Sequence, residues 1–184
     1  MLNIDNPSES SAQIFLSYLG PTTGHEDEYA VRTMNQILGG DTNSFLFQNV
    51  GLKEGLAYNV GTSTDGDYNA GELGVNASVP ANRINESVGA IFRQIERMKH
   101  ERVSDGSVER IKKSAKYNLA KAFESNEGHI SAIEMKLDEG LTPESFIEGY
   151  NAVTPERVME VANKYLPNRS DGKYLLYIRN PLQE

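Results

Sequence analysis

Two periods run through the apolar positions of this chain. Residues 13–19 (QIFLSYL) are rich in strand-forming side chains and stop at Gly20-Pro21, a strong breaker pair, which predicts a strand. Thr23 then reads as a helix N-cap with Glu26 as its capping-box partner, and His25-Glu26-Asp27-Glu28 sets acid in the first turn. Ala30, Met34, Ile37 and Leu38 form the apolar stripe of that helix, which Gly39-Gly40 ends. Period two takes over in residues 56–64 and 68–79, with Asp65-Gly66 as the hairpin turn between them. Leu56, Tyr58 and Val60 share one face, opposite Ala57, Asn59 and Gly61. Leu73, Val75, Ala77 and Val79 oppose Glu72, Gly74, Asn76 and Ser78. The hairpin thus offers an apolar face to helices and a small, polar face to solvent or a ligand.

From Asn82 the helical period dominates, with Ile84, Val88, Ile91, Phe92, Ile95 and Met98 on one stripe. Residues 104–123 continue it with Val108, Ile111, Ala115, Leu119 and Ala122, and shorter helices are predicted over 128–139 and 143–150. Thr154-Pro155-Glu156 opens another helix, Thr as N-cap and Pro at the first helical position, ending near Leu166-Pro167. Residues 173–178 (KYLLYI) predict a closing strand. This order means an α+β fold, a two-layer sandwich of a mainly antiparallel sheet with helices on one face. Residues 1–11 are expected to be a lead-in and truncation point, and 12–184 a single domain.

The 184 residues include no Cys, which excludes thiol catalysis, Cys-ligated zinc and iron–sulfur clusters. No apolar stretch reaches the ~18 residues of a membrane span, and no signal peptide is visible. The net charge of −8 argues against nucleic acid as a partner. Its distribution is uneven: residues 83–121 hold 10 basic and 5 acidic side chains. The resulting stripe at Arg93, Arg97, Lys112, Lys113 and Lys116 is read as a solvated helix face pairing with acidic parts of the same fold. The acidic balance suits the cytoplasm or a bacterial periplasm alike.

Three histidines exist, His25, His100 and His129. His25 and Glu28 lie three apart on one helix, yet HEDEY is not H-x-x-E-H, because Tyr29 stands where the second His would be. The cap explains these residues without a metal. P-loop, dinucleotide fingerprint and G-x-S-x-G elbow are absent, so the residues alone define no complete active site.

A longer pattern is more specific. Ile37-Leu38-Gly39-Gly40, then Ser44, Leu46-Phe47, Lys53 and Gly55-Leu56-Ala57-Tyr58 resemble a segment of the insulinase/pitrilysin zinc peptidases, in their C-terminal half without zinc. Val103-Ser104, Glu109 and Ala115-Lys116 resemble the long helix of that half, and Val153-Thr154-Pro155-Glu156 through Lys164-Tyr165-Leu166 its closing helix. The likeness spans residues 12–180.

The resemblance implies one half of a metallopeptidase clamshell that closes around an unfolded peptide. No zinc is then expected in this chain: the zinc, on H-x-x-E-H plus a distant Glu, belongs to the N-terminal half. The C-terminal half supplies the opposite wall, with an Arg and, seven residues on, a Tyr that hold substrate. The Tyr matches Tyr58, but Gly51 occupies the Arg position, Leu52 that of the neighbouring acid, and Phe45 that of an Arg often found after Ser44. Tyr58 is therefore expected to donate its phenol to a peptide carbonyl or oxyanion. Its alternative is a strand tyrosine packed on the helices beside Leu56 and Val60. The implied partners are a zinc-bearing half or partner subunit and a peptide substrate, as a homodimer or heterodimer. The chain is expected to be inactive alone, or else to be a non-catalytic partner subunit or scaffold acting through protein contacts.

Overall fold

A computed structural model describes residues 2–6, 11–66, 70–124 and 142–181. Five strands make one sheet in the order β1-β5-β2-β4-β3, from β1 (Leu2–Asn6), β2 (Ala12–Gly20), β3 (Asn59–Gly66), β4 (Gly71–Val79) and β5 (Leu175–Pro181). β3–β4, β4–β2 and β2–β5 pair antiparallel, and the edge strand β1 runs parallel to its partner β5. The helices are α1 (Glu28–Gly39), α2 (Ile84–His100), α3 (Asp105–Ala122), α4 (Pro143–Asn151) and α5 (Pro155–Tyr165), with a short π-helix over Leu46–Lys53. The fold is the expected α+β one.

Alternation along the strands decides the layers. Ala12, Ile14, Leu16 and Tyr18 of β2 are buried, as are Leu73, Val75, Ala77 and Val79 of β4. They meet Met34, Ile37 and Leu38 of α1, Ile91, Ile95 and Met98 of α2, and Val158, Val161 and Ala162 of α5 in one core. α3 and α4 lie outside this layer, where Tyr29, Phe146 and Tyr150 pack ring to ring at 5.1–5.9 Å.

Four expectations need correction. β1 lies in the stretch read as a lead-in: LNIDN has too little pattern to announce a strand, and its status depends on β5, far away in sequence. The hairpin turn is not Asp65-Gly66, because both still pair in the ladder, with Glu72 and Gly71. The capping box at Thr23 and Glu26 does not form. Helix α1 starts at Glu28, and its N-cap Asp27 makes no side-chain cap, its carboxylate being engaged elsewhere. The π-helix carried no predicted element, although buried Leu46 and Val50, four apart, are its inner stripe. The helix expected over 128–139 lies outside the described residues.

The cap at α5 matches expectation, and α4 carries one that no reading of the sequence named. Thr142 and Ser145 form a reciprocal capping box, and Thr154 Oγ1 accepts from the Arg157 N–H at 3.2 Å. Gly39 does end α1, but for packing reasons: a Cβ there would stand 2.6 Å from Thr62 Cγ2 and 2.9 Å from Thr62 N. The missing side chain lets the helix end touch β3, where Thr62 Oγ1 donates to the Asn35 carbonyl at 2.9 Å.

Candidate functional site

The sheet face away from the helices is an extended surface on which a chain could lie. The register arranges it in rows. Tyr177, Phe15, Asn76 and Gly61 form one row, and Leu175, Ser17, Gly74 and Ser63 the next. Arg179, Gln13, Ser78 and Asn59 flank them on one side, and Leu19, Glu72 and Asp65 on the other. Aromatic and aliphatic groups thus gather over β2 and β5, where the Phe15 and Tyr177 rings stack at 5.5 Å. Over β3 and β4 the side chains are absent, small, amide or, at Glu72 and Asp65, carboxylate, and β2 side chains bond to those of β4. Ser17 donates to Glu72 Oε1 at 2.6 Å, and Gln13 Nε2 to Ser78 Oγ at 3.1 Å.

Tyr58 stands at the start of β3, and it does not share a face with Leu56 and Val60. Its N–H donates to the Ser78 carbonyl at 2.8 Å, while Asn59 is the register partner of Ser78. Two residues opposite one is the count of a β-bulge, which re-aims a side chain. Leu56 and Val60 are buried, whereas Tyr58 is 72% exposed. The alternative of a tyrosine packed on the helices is thereby set aside. The approach to Tyr58 is fixed from below: the Leu56 N–H donates to Val50 O at 2.9 Å, Ser87 Oγ to Leu56 O at 3.1 Å, and Arg83 Nη1 to Gly55 O at 3.3 Å. Gly55 makes the turn into this segment at φ +59°, a conformation that favours glycine.

Gly51 lies on the π-helix, and a Cβ there would meet only Val60 Cγ1, at 3.9 Å. A large side chain has room at that position, so its absence is not imposed by packing. Leu52 is exposed, and Phe45 is half-buried under the Arg97 guanidinium, 4.3 Å from its ring centroid. Of the basic stripe, Arg93 pairs with Glu54 at 2.5 Å, Arg97 with Glu101 at 2.6 Å and Lys112 with Glu109 at 3.0 Å, as a solvated, self-paired face would.

The HEDEY segment does not fit a metal. His25 Nδ1 accepts the Asp27 N–H at 3.0 Å, and Glu28 accepts from the Gly24 N–H at 2.7 Å and from Arg32 at 2.8 Å. Asp27, 1% exposed, turns inward to α5, where it accepts from Lys164 at 2.5 Å, from Tyr165 at 2.7 Å and from Arg157. Burial by itself would raise its pKa; the bonds from Lys164 and Tyr165, with the charges of Lys164 and Arg157, outweigh burial and hold it below the ordinary range. Among the described residues no group of three or more His, Cys, Asp or Glu could hold a metal ion. His129 lies outside them.

Fold and site together define a two-layer α+β domain with an open sheet face and no metal centre among its described residues. Residues 2–115 match the family described as the peptidase M16 inactive domain, and the chain belongs to that family. It is an inactive C-terminal domain of the zinc-protease-like proteins, as the ILGG to GLAY pattern implied. A Bacillus subtilis (strain 168) relative, the uncharacterized zinc protease YmxG, is 29% identical over 156 residues, 83% of this chain and 38% of the relative. The chain thus spans well under half the length of that protein. The fold is shared with a conserved protein from Enterococcus faecalis V583, at TM-score 0.86 and 22% identity, over 100% of this chain and 42% of that one. It is shared as well with a peptidase M16 inactive domain from Pseudomonas fluorescens, at TM-score 0.80 and 22% identity, over 99% of this chain and 43% of that one.

Proposed function

We propose that the open sheet face is the substrate-binding wall of a zinc endopeptidase, set opposite a zinc-bearing half, and that Tyr58 donates its phenol to the bound peptide. The observation that carries this reading is Tyr58 itself: a tyrosine 72% exposed at a bulge, next to a face of small and hydrogen-bonding side chains. An extended peptide fits such a face because Gly74 leaves the β4 row low and Phe15 and Tyr177 supply apolar contact at one side. A phenol held there donates to a carbonyl, and more strongly to the oxyanion that forms when water adds to it. The nucleophile and the zinc belong to the other half, so the chain on its own binds and does not cut.

The test has two arms. The isolated chain is expected to hydrolyse no peptide with or without added zinc; zinc-dependent cleavage lost on mutating His25 would overturn this. In the complete protease, Tyr58→Phe is expected to lower kcat by about a hundredfold, the low end of what losing one preorganised donor costs. Unchanged kinetics would return Tyr58 to an ordinary surface residue.

Gly51 favours a second reading, a partner subunit or scaffold without a catalytic share. The position has room for an Arg and lacks one. Under this reading the same face meets a protein partner, and Tyr58→Phe in the assembled protein leaves turnover unchanged.

A further inference from the structure

Strand β5 begins too late to cover the end of β2. Their pairing stops at Ser17↔Leu175, whereas β4 stays paired with β2 through Tyr18, Leu19 and Gly20. On the β5 side, the last residues of β2 therefore border a cavity of about 660 Å³ instead of a strand. The backbone direction inside it follows from the ladder. The N–H and C=O of one residue point to the same side, and the side alternates along a strand. Ser78 turns its carbonyl to β3, where Tyr58 donates to it, so Ala77 faces β2 and its partner Ile14 faces β4. Leu16 and Tyr18 follow Ile14 at steps of two. Leu19 falls between them, so its N–H and C=O point into the cavity, and its side chain is 81% exposed.

Gly172, Lys173, Tyr174 and Leu175 line the cavity on the β5 side. Residues 172–174 leave the line of β5 there and are held firmly: Asp171 accepts the N–H of Asn168 at 2.9 Å and of Lys173 at 3.0 Å, and Gly172 turns at φ +65°. Tyr174 OH donates to the Arg169 carbonyl at 2.8 Å. Two lysines line this cavity. Lys164 is bound to Asp27, while Lys173 is exposed and makes no direct ion pair among the described residues, its charge being felt by the Asp171 carboxylate. Tyr18, also in the wall, is 4% exposed, and its hydroxyl has no partner among the described residues. Glu72 reaches the rim from the β4 side of β2, where it accepts from Ser17.

We propose that this notch binds the C-terminal end of an extended peptide. A segment antiparallel to β2 continues the line of β5 and exchanges both backbone hydrogen bonds with Leu19, as in strand addition to a sheet edge. In that direction its C-terminus runs into residues 172–174, and its carboxylate meets Lys173. The opposite direction would bring an ammonium group against the same lysine. Leu19 and Leu175 join the notch to the open face, so the proposal rests on reading that face as peptide-binding and adds where the peptide ends.

The experiment is a titration of the 184-residue chain with an acetylated pentapeptide, four alanines and a terminal leucine, as free acid and as C-terminal amide. Affinity is read by calorimetry, and the Leu19 and Lys173 amide shifts by NMR. The acid is expected to bind at least about tenfold more tightly than the amide and to shift both amides, since a bond to a charged partner is at stake. Lys173→Met, at an exposed position, should bring the acid down to the amide's affinity. Equal binding of acid and amide, or acid binding indifferent to Lys173→Met, overturns the notch. If neither pentapeptide binds, the notch alone falls where an unfolded 20-residue peptide still binds the chain. Both readings fall where that longer peptide does not bind.

Discussion

The two faces of the sheet are built from the same strands, one residue apart, and could hardly differ more. On the helix side Ile14, Leu16, Val75 and Ala77 are at most 3% exposed and meet the apolar stripes of three helices. On the other side Gln13, Phe15 and Ser17 alternate with them along β2, facing Ser78, Asn76 and Gly74 across the ladder. A permanently covered face gains by apolar area, about 25 cal/mol per Å² removed from water. A face that stands in water is better made of hydroxyls, amides and glycines with a few rings. Charges follow the same division. Asp27 is buried and has three cross-element donors, while Glu72 on the open face is exposed and serves one serine hydroxyl.

The contrast breaks most easily at the helix side. Leu38 is fully buried between α1 and the sheet, so Leu38→Ala is expected to cost about 2–5 kcal/mol of stability, read as a fall in the urea midpoint. A loss below about 1 kcal/mol would mean that this face is no tighter than the other.

Next in size is the buried carboxylate. Asp27→Ala removes hydrogen bonds to charged groups and is expected to cost about 1.5–3 kcal/mol. Its pKa is lower in the folded than in the unfolded chain, so its stabilisation is complete above the unfolded value of about 3.9 and disappears as pH falls through the folded value. Parent and variant should therefore converge in acid and separate above about pH 4. A constant gap across that window would place the role of Asp27 in packing rather than charge.

Smallest are two positions with free space or solvent beside them, Gly51 on the π-helix and Asn76 on the open face. Gly51→Arg and Asn76→Ala are expected to change stability by no more than about 0.5 kcal/mol, one having room for its side chain and the other already facing solvent. In the complete protease, Gly51→Arg sharpens the choice of function: a gain in turnover marks a catalytic wall, and none favours the partner-subunit reading. A stability loss from Asn76→Ala like that of Leu38→Ala would erase the distinction between the faces.

Much of this was legible along the chain. The period-two runs and the stripes from Ala30 to Leu38 and from Ile84 to Met98 state what each element buries, because burial needs only the residue's own chemistry and a repeat. The cap at Thr154 was local as well, since the partner N–H lies three residues on. Misreadings fell where the partner was remote. Asp27 looked like part of a first helical turn, but Lys164 and Tyr165 draw it across to α5. Tyr58 followed the alternation on paper, and a bulge against Ser78 interrupts it.

From its residues alone, then, this chain determined an α+β fold, which strand face is greasy, the absence of cysteine chemistry, and a likeness to the metal-free half of a zinc peptidase. Tertiary structure decided the rest: that Leu2–Asn6 is a strand, that Gly39 is small to let α1 reach Thr62, that Tyr58 is exposed, and that β5 stops short of Leu19. The division has one cause. Periodicity and propensity act within a few residues, whereas register, bulges and close approaches are set by atoms that meet only after distant segments have packed.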